Sequence, residues 1–219
     1  IINNMKFENQ RNEMVESQLR PNLVLNENIL QAFGTVKREK YFSTKFQSIS
    51  YMDDNIFINN ERFVLRPFIL GKLISNLDIG LDKNVLDVGS TNGYSSSILS
   101  YLFKKVVSLE DNDTCADLIT KACKDENLQN IKVIKNSFLE TENLKSTFDS
   151  ILINGEVNSN PINLIKLLKL NGKLVTIFRD GRSSYACMYI KKENNTFDKL
   201  RIFDASSPAL INYKSKEPV

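Results

Sequence analysis

The sequence predicts an α/β fold: a doubly wound, mostly parallel seven-stranded sheet with a C-terminal antiparallel hairpin and an N-terminal helical extension. Three observations carry this reading. From Pro67 onward, short runs rich in Val, Ile and Leu alternate with segments of helical spacing, which is the signature of strands buried on both faces and covered by helices. Near the C-terminus "SYACMYIKK" and "TFDKLRIFD" alternate with period two and are joined by Glu193-Asn194-Asn195, as in a hairpin. Residues 6–60 show neither pattern and read as helical and irregular. Two parts follow: residues 1–65 as a cap packed on the core, and 66–219 as the ligand-binding domain.

In the first part, Arg11 to Arg20 reads as a helix with Met14, Val15 and Leu19 as its apolar points, ended by Pro21. Asn26 caps a second helix through Ile29, Leu30, Phe33 and Val36. "KREKYF" and the loop "SISYMDDNIFIN" follow. Phe68 to Leu77 is helical, with Ile69, Leu70, Leu73, Ile74 and Leu77 at its spacing. Five strands are expected at 85–88, 106–110, 131–135, 149–153 and 173–178. Helices join them over 94–103, over a segment capped by Asn112 or Asp113 that runs to about Asp125, and over "INLIKLLKL", which Pro161 opens.

Composition narrows the function. With 219 residues the chain can bury a sizeable core without a disulfide or metal. The net charge of +3 gives no basic stripe for nucleic acid or an anionic membrane. Histidine is absent, which excludes Ser-His-Asp and Cys-His sites and any His-ligated metal. Cys115, Cys123 and Cys187 are too scattered for a zinc site, and their odd number fits a reducing compartment. No apolar run is long enough to span a bilayer, and the first residues show no signal-peptide pattern. The expectation is a cytoplasmic protein, with Met5 as a natural start.

The chemistry concentrates at "NVLDVGSTNGYSS", residues 84–96. A strand turning sharply into a helix needs residues tolerant of unusual backbone angles, and this chain of eight glycines places Gly89 and Gly93 there. The free N–H groups of the following helix favour an anionic group. Glu110 ends the next strand, seventeen positions after Gly93, with Asp111 beside it. In an adjacent parallel strand it reaches the same crevice, where a carboxylate accepts both hydroxyls of a ribose. The dinucleotide pattern G-x-G-x-x-G fails, because Thr91 and Tyr94 stand where its later glycines belong. The run Asp87-Val88-Gly89-Ser90-Thr91-Asn92-Gly93 instead resembles the D-x-G-x-G-x-G loop of S-adenosylmethionine-dependent methyltransferases. By that resemblance Asp87, Gly89, Ser90, Thr91, Gly93, Glu110 and Asp111 would face the cofactor. Ser137 and Phe138 in "NSF" would lie at the adenine, and Asn154 would end the fourth strand beside it. Tyr94 reads as packing.

The remaining motifs are similar to one branch of that group. "RNEMVESQLR", "ILQAFGTVKREKYF", "SYMDDNIFI" and "DSILINGEVNSNPINLIKLLKLNGKLV" resemble protein-L-isoaspartate O-methyltransferases, with their M-V-x-x-Q-L-R, V-x-R-E-x-F and Y-x-D segments. The resemblance runs from about Asn9 to Ala209. It implies a Rossmann-like methyltransferase sheet, S-adenosylmethionine as cofactor, no metal and no nucleic acid. The implied acceptor is a protein or peptide carboxylate on isoaspartyl residues, methylated as a step of protein repair. Such a site needs no histidine, because a carboxylate is already ionised at neutral pH.

Two departures qualify what the resemblance implies. Thr91 replaces the middle glycine of the loop, where its Cβ crowds the cofactor or its hydroxyl binds a carboxylate. Before Pro67 the family carries a hydroxyl-bearing T-x-S-x-P stretch, and here the equivalent is Phe63-Val64-Leu65-Arg66-Pro67. The catalytic segment is thus reduced to Leu65 and Arg66, with Arg62, Phe63, Leu65 and Arg66 as the substrate-facing residues. Arg62 and Arg66 can hold an acidic substrate bidentately or lie solvated on the surface. Asp53 and Asp54 either close over the cofactor or end a turn. Three readings stay open: a methyltransferase for protein carboxylates, one for a different acceptor such as a small acid, and a cofactor-binding protein without transfer.

Overall fold

The structure, a computed structural model, describes residues 2–144 and 147–211. The chain opens with α1 (Ile2–Glu13), which continues through a wider π turn at Met14–Leu19 into a 3-10 turn at Arg20–Asn22. Pro21 stops it, since proline lacks the N–H that another helical turn needs. α2 (Glu27–Thr35) starts where predicted, with the Asn26 side-chain oxygen accepting from the Asn28 and Ile29 amides. The short helix α3 (Thr44–Gln47) and a two-stranded ribbon, β1 (Ile56–Phe57) and β2 (Phe63–Val64), lead to α4 (Pro67–Ile74). The ribbon lies in a segment that the sequence shows only as a loop.

The alternating part follows: β3 (Gly80–Val88), α5 (Tyr94–Ser100), β4 (Phe103–Glu110), α6 (Asp113–Asp125), β5 (Ile131–Lys135), β6 (Phe148–Val157), α7 (Ile162–Ile165), β7 (Leu168–Asp180), β8 (Ser183–Lys191), β9 (Phe197–Asp204) and β10 (Ala209–Ile211). The sheet runs β5-β4-β3-β6-β7-β8-β9. It is parallel through β7 and antiparallel from there, and β10 adds itself parallel to β6. The main sheet therefore has eight strands, one more than expected.

Two expected helices are corrected. The helix over "INLIKLLKL" stops at Ile165, and Leu168 already pairs with Phe148, so β7 starts inside the segment. The helix after Gly93 ends at Ser100, and Phe103 opens β4. The described part of the crossover from β5 to β6 carries no helix either.

Period-two alternation sorts the strands onto two cores. Val85, Val106, Leu152 and Val175 join the N-terminal helices, α4 and α5 in one apolar cluster. Leu86, Val88, Leu109, Ile151 and Ile153 face the other side, under Phe138, Leu164 and Leu210. The N-terminal segment thus shares a core with the sheet. At about 1.5–3 kcal/mol per fully buried aliphatic side chain, this clamps the strands whose carboxyl ends form the crevice. Strand order, not strand direction, reverses between the parallel neighbours β3 and β6, where a doubly wound sheet leaves its crevice.

Candidate cofactor site

The loop after β3 has the backbone that its glycines suggested. Gly89 has φ +72° and Gly93 φ +89°, both in the left-handed region. Thr91, between them, has φ +65°, an outlier for a β-branched residue. Its hydroxyl donates to the Phe63 carbonyl at 2.9 Å.

Glu110 is fully buried and turned onto this loop. Its Oε2 accepts the Thr91 amide at 3.2 Å. Its Oε1 accepts from the amides of Asp111 (3.1 Å) and Asn112 (3.3 Å) and from Arg62 Nε (3.3 Å). Burial pushes the Glu110 carboxyl up to about 7, against the Arg62 guanidinium and the Thr91 and Asn112 amides, which draw it down.

A layer of hydroxyls shapes the loop from below. Asp87 is buried, and its carboxylate accepts from Ser95 (2.7 Å), Ser96 (2.6 Å) and Asn154 Nδ2 (2.6 Å). Asn154 also donates to the Val88 carbonyl at 3.0 Å, and the Ser90 oxygen lies 2.9 Å from Ser95 Oγ. Burial raises the Asp87 pKa, while these hydrogen bonds lower it. Asp87, Ser90 and Asn154 were expected at the cofactor; their side chains are directed into the fold and fix the turn between β3 and β6. Ser137 is half-buried and accepts the Leu139 amide, whereas Phe138 is buried. Tyr94 is fully buried edge-on to Phe33 and Tyr41, as packing.

The segment before Pro67 departs most from expectation. Leu65 and Phe63 are each 2% exposed and belong to the core. Arg62 and Arg66, expected to face an acidic acceptor or solvent, are held by this chain's own carboxylates. Arg62 pairs with Glu110 and Asp111, and its Cζ lies 5.7 Å from the Phe138 ring centre. Arg66 pairs with Asp53 at 2.9 Å and sits over Phe68.

Sequence reasoning missed Arg38 and Leu210. Arg38 is fully buried, donates to the Ser50 carbonyl (2.6 Å) and the Leu65 carbonyl (3.0 Å), and lies 4.5 Å over the Tyr94 ring. It fixes the backbone of the segment that borders the crevice. Its neighbour Glu39 takes the Tyr51 hydroxyl at 2.5 Å and Arg11 at 3.4 Å. Leu210 packs on Gly89 and Gly155: a Cβ built on either glycine would lie 2.4 Å and 2.6 Å from its atoms. Among the described residues, no group of three metal-ligating side chains occurs, and no helix is long and apolar enough to cross a membrane.

The family model for protein-L-isoaspartate(D-aspartate) O-methyltransferase (PCMT) matches residues 9–205. The chain belongs to the protein-L-isoaspartate O-methyltransferase family. Relatives of that name are 27% identical in Syntrophus aciditrophicus (strain SB), over 78% of this chain and 78% of the relative. The one in Protochlamydia amoebophila (strain UWE25) is also 27% identical, over 83% of this chain and 86% of its own length. A solved structure described as this methyltransferase from Plasmodium falciparum, in complex with S-adenosyl-L-homocysteine, superposes with a TM-score of 0.75 at 20% identity. The match covers 92% of this chain and 99% of that one. The Rossmann-like methyltransferase fold is thus shared at low identity. In this member segment 63–65 is apolar and buried, and Glu110 is held by Arg62. Strand β10 lies beyond the matched region.

Proposed function

We propose that this chain is an S-adenosylmethionine-dependent O-methyltransferase of the isoaspartate branch, acting on a carboxylate exposed by a protein or peptide. The observation that carries the reading is Glu110, which ends β4 and turns onto the loop 89–93 through the Thr91 amide. The donor set fits the nucleoside: a buried carboxylate for the ribose hydroxyls, Phe138, which shares the Arg62 guanidinium with that carboxylate, for the base, and a tight glycine turn alongside. Glu110, Ser137, Phe138 and the backbone of residues 89–93 would hold the cofactor, with Asp87 and Asn154 keeping that backbone in place.

When bound, S-adenosylmethionine supplies a methyl group on a cationic sulfur. The acceptor carboxylate is ionised at neutral pH and needs no general base, in keeping with a chain without histidine. The work left to the protein is alignment and exclusion of water. The apolar Phe63 and Leu65 serve exclusion, and Arg38 holds the Leu65 backbone in place. Three free cysteines support a reducing, cytoplasmic setting. A second reading, cofactor binding without transfer, is favoured by the missing hydroxyls at positions 63 and 65.

The test is transfer of labelled methyl to an isoaspartyl peptide and to its aspartyl twin, alongside calorimetry with S-adenosylhomocysteine. Labelling of the isoaspartyl peptide alone is the expected result. Binding without labelling of either peptide refutes isoaspartyl methylation. Absence of binding refutes the cofactor assignment.

A further inference from the structure

The crevice that the nucleoside would enter is taken by side chains of this chain. Arg62 reaches both places assigned to the nucleoside. Its Nε donates to Glu110 Oε1 at 3.3 Å, and its guanidinium lies 5.7 Å from the centre of the Phe138 ring. A guanidinium is planar and rich in donors. It therefore offers the acid what ribose hydroxyls would offer, and the aromatic ring what a base would offer. The Arg62 side chain is only 11% exposed and leaves Glu110 none of its surface. On the other side of the loop, Leu210 lies against the bare faces of Gly89 and Gly155, the positions where a ligand approaches backbone most closely. Phe63 closes the gap, with its ring 3.0 Å from where a Cβ on Gly155 would stand.

The elements carrying these side chains are among the shortest formed by the described residues. Phe63 opens the second strand of a ribbon with two residues in each strand, and Arg62 ends the turn that joins them. Leu210 comes from the three-residue β10, held to β6 through the Glu156 amide and the Pro208 carbonyl at 3.1 Å and by an irregular register. The loop underneath is anchored in β3, β4 and β6, the centre of the sheet. Short elements with few ladder bonds open at far lower free energy than long central strands.

Resting on the cofactor assignment above, we propose that Arg62 and Leu210 form a self-occluding gate, in which Arg62 mimics the nucleoside and must leave Glu110 before S-adenosylmethionine or its product enters. Removing either plug then raises affinity. A gate closed about nine-tenths of the time weakens the apparent affinity about tenfold, so opening it recovers about that factor. A merely structural role for either residue would lower affinity or leave it unchanged.

The experiment is calorimetry with S-adenosylhomocysteine on the wild-type chain, Arg62→Gln, Leu210→Ala and the double variant. It is accompanied by hydrogen exchange of the Glu156 amide in the wild type, with and without the same compound. Tighter binding by about tenfold in each single variant, with faster Glu156 exchange in the wild type on ligand addition, is the expected result. Wild-type binding with no gain in any variant overturns the gate and leaves the cofactor assignment standing. No binding by any of the four proteins overturns both. Should the variants fail to fold, slower or unchanged Glu156 exchange on ligand addition to the wild type overturns the gate by itself.

Discussion

Position 91 tests whether the loop geometry is what holds this site together. Thr91 is 1% exposed at φ +65°, a conformation that costs a residue with a Cβ about 1–2 kcal/mol. Its hydroxyl recovers about 1 kcal/mol through the bond to the Phe63 carbonyl. Thr91→Ala keeps the backbone strain and loses the bond, so it should destabilise by about 1–2 kcal/mol. Thr91→Gly loses the same bond but sheds the strain, at the expense of about 0.5–1 kcal/mol in unfolded-chain entropy. It should therefore lie within about 1 kcal/mol of wild type. The sharp consequence is the order of the two variants. Glycine usually falls below alanine by about 0.5–1 kcal/mol inside regular structure. At position 91 it should stand above alanine by about that amount, because a Cβ is penalised at this φ. Urea denaturation at neutral pH measures both. Alanine equal to or more stable than glycine would show that residue 91 is not held left-handed, and the account of the turn would fall with it.

Two further predictions concern buried charge. The Glu110 carboxyl is raised by burial from its ordinary 4.5 to about 7. The folded state thus holds a proton that the unfolded state releases, and this stabilisation is lost as pH rises from about 4.5 through about 7. The stability of wild type minus that of Glu110→Gln, from urea curves at several pH values, should fall by up to about 3 kcal/mol across that window, and a rise would refute the sign. Arg38→Lys should destabilise by about 2–4 kcal/mol, since a lysine cannot reach the Ser50 and Leu65 carbonyls together while stacking on Tyr94; an unchanged urea midpoint would refute that anchoring.

Strands β3 to β9 were legible because buried runs of Val, Ile and Leu, and the alternation in the hairpin, are properties of the sequence itself. Asn26 and Asn112 were legible as caps because capping is local chemistry. Glu110 was legible because strand order places it beside the loop. The ribbon β1–β2 and strand β10 were not, since two or three residues show no period. "INLIKLLKL" has apolar residues that satisfy a helix as well as a strand, and pairing of Leu168 with Phe148 decides it. Arg38 and Glu39 stand in the sequence only as part of "KREKYF", with no role assigned to either. Both are buried because their partners, at Ser50, Leu65, Arg11 and Tyr51, arrive from segments that only the fold brings near.

The same distinction bears on Glu110. A buried carboxylate without a partner is costly, by several kcal/mol, so a fold that keeps this acid must also keep donors for it. Three are backbone amides, from Thr91, Asp111 and Asn112, and these remain whatever enters the crevice. The fourth is Arg62, the only one of the four that belongs to a side chain able to swing away. Releasing it does not strand the cation, because Asp111 is already its second partner and lies nearer to solvent, with its side chain 32% exposed. Opening therefore exchanges one of two ion pairs for ligand hydroxyls at Glu110 while the other holds Arg62 at the rim. A ligand without paired hydroxyls offers the acid nothing in return and leaves the guanidinium where it is, which makes the nucleoside end of the cofactor, rather than its amino-acid end, the part that must open the site.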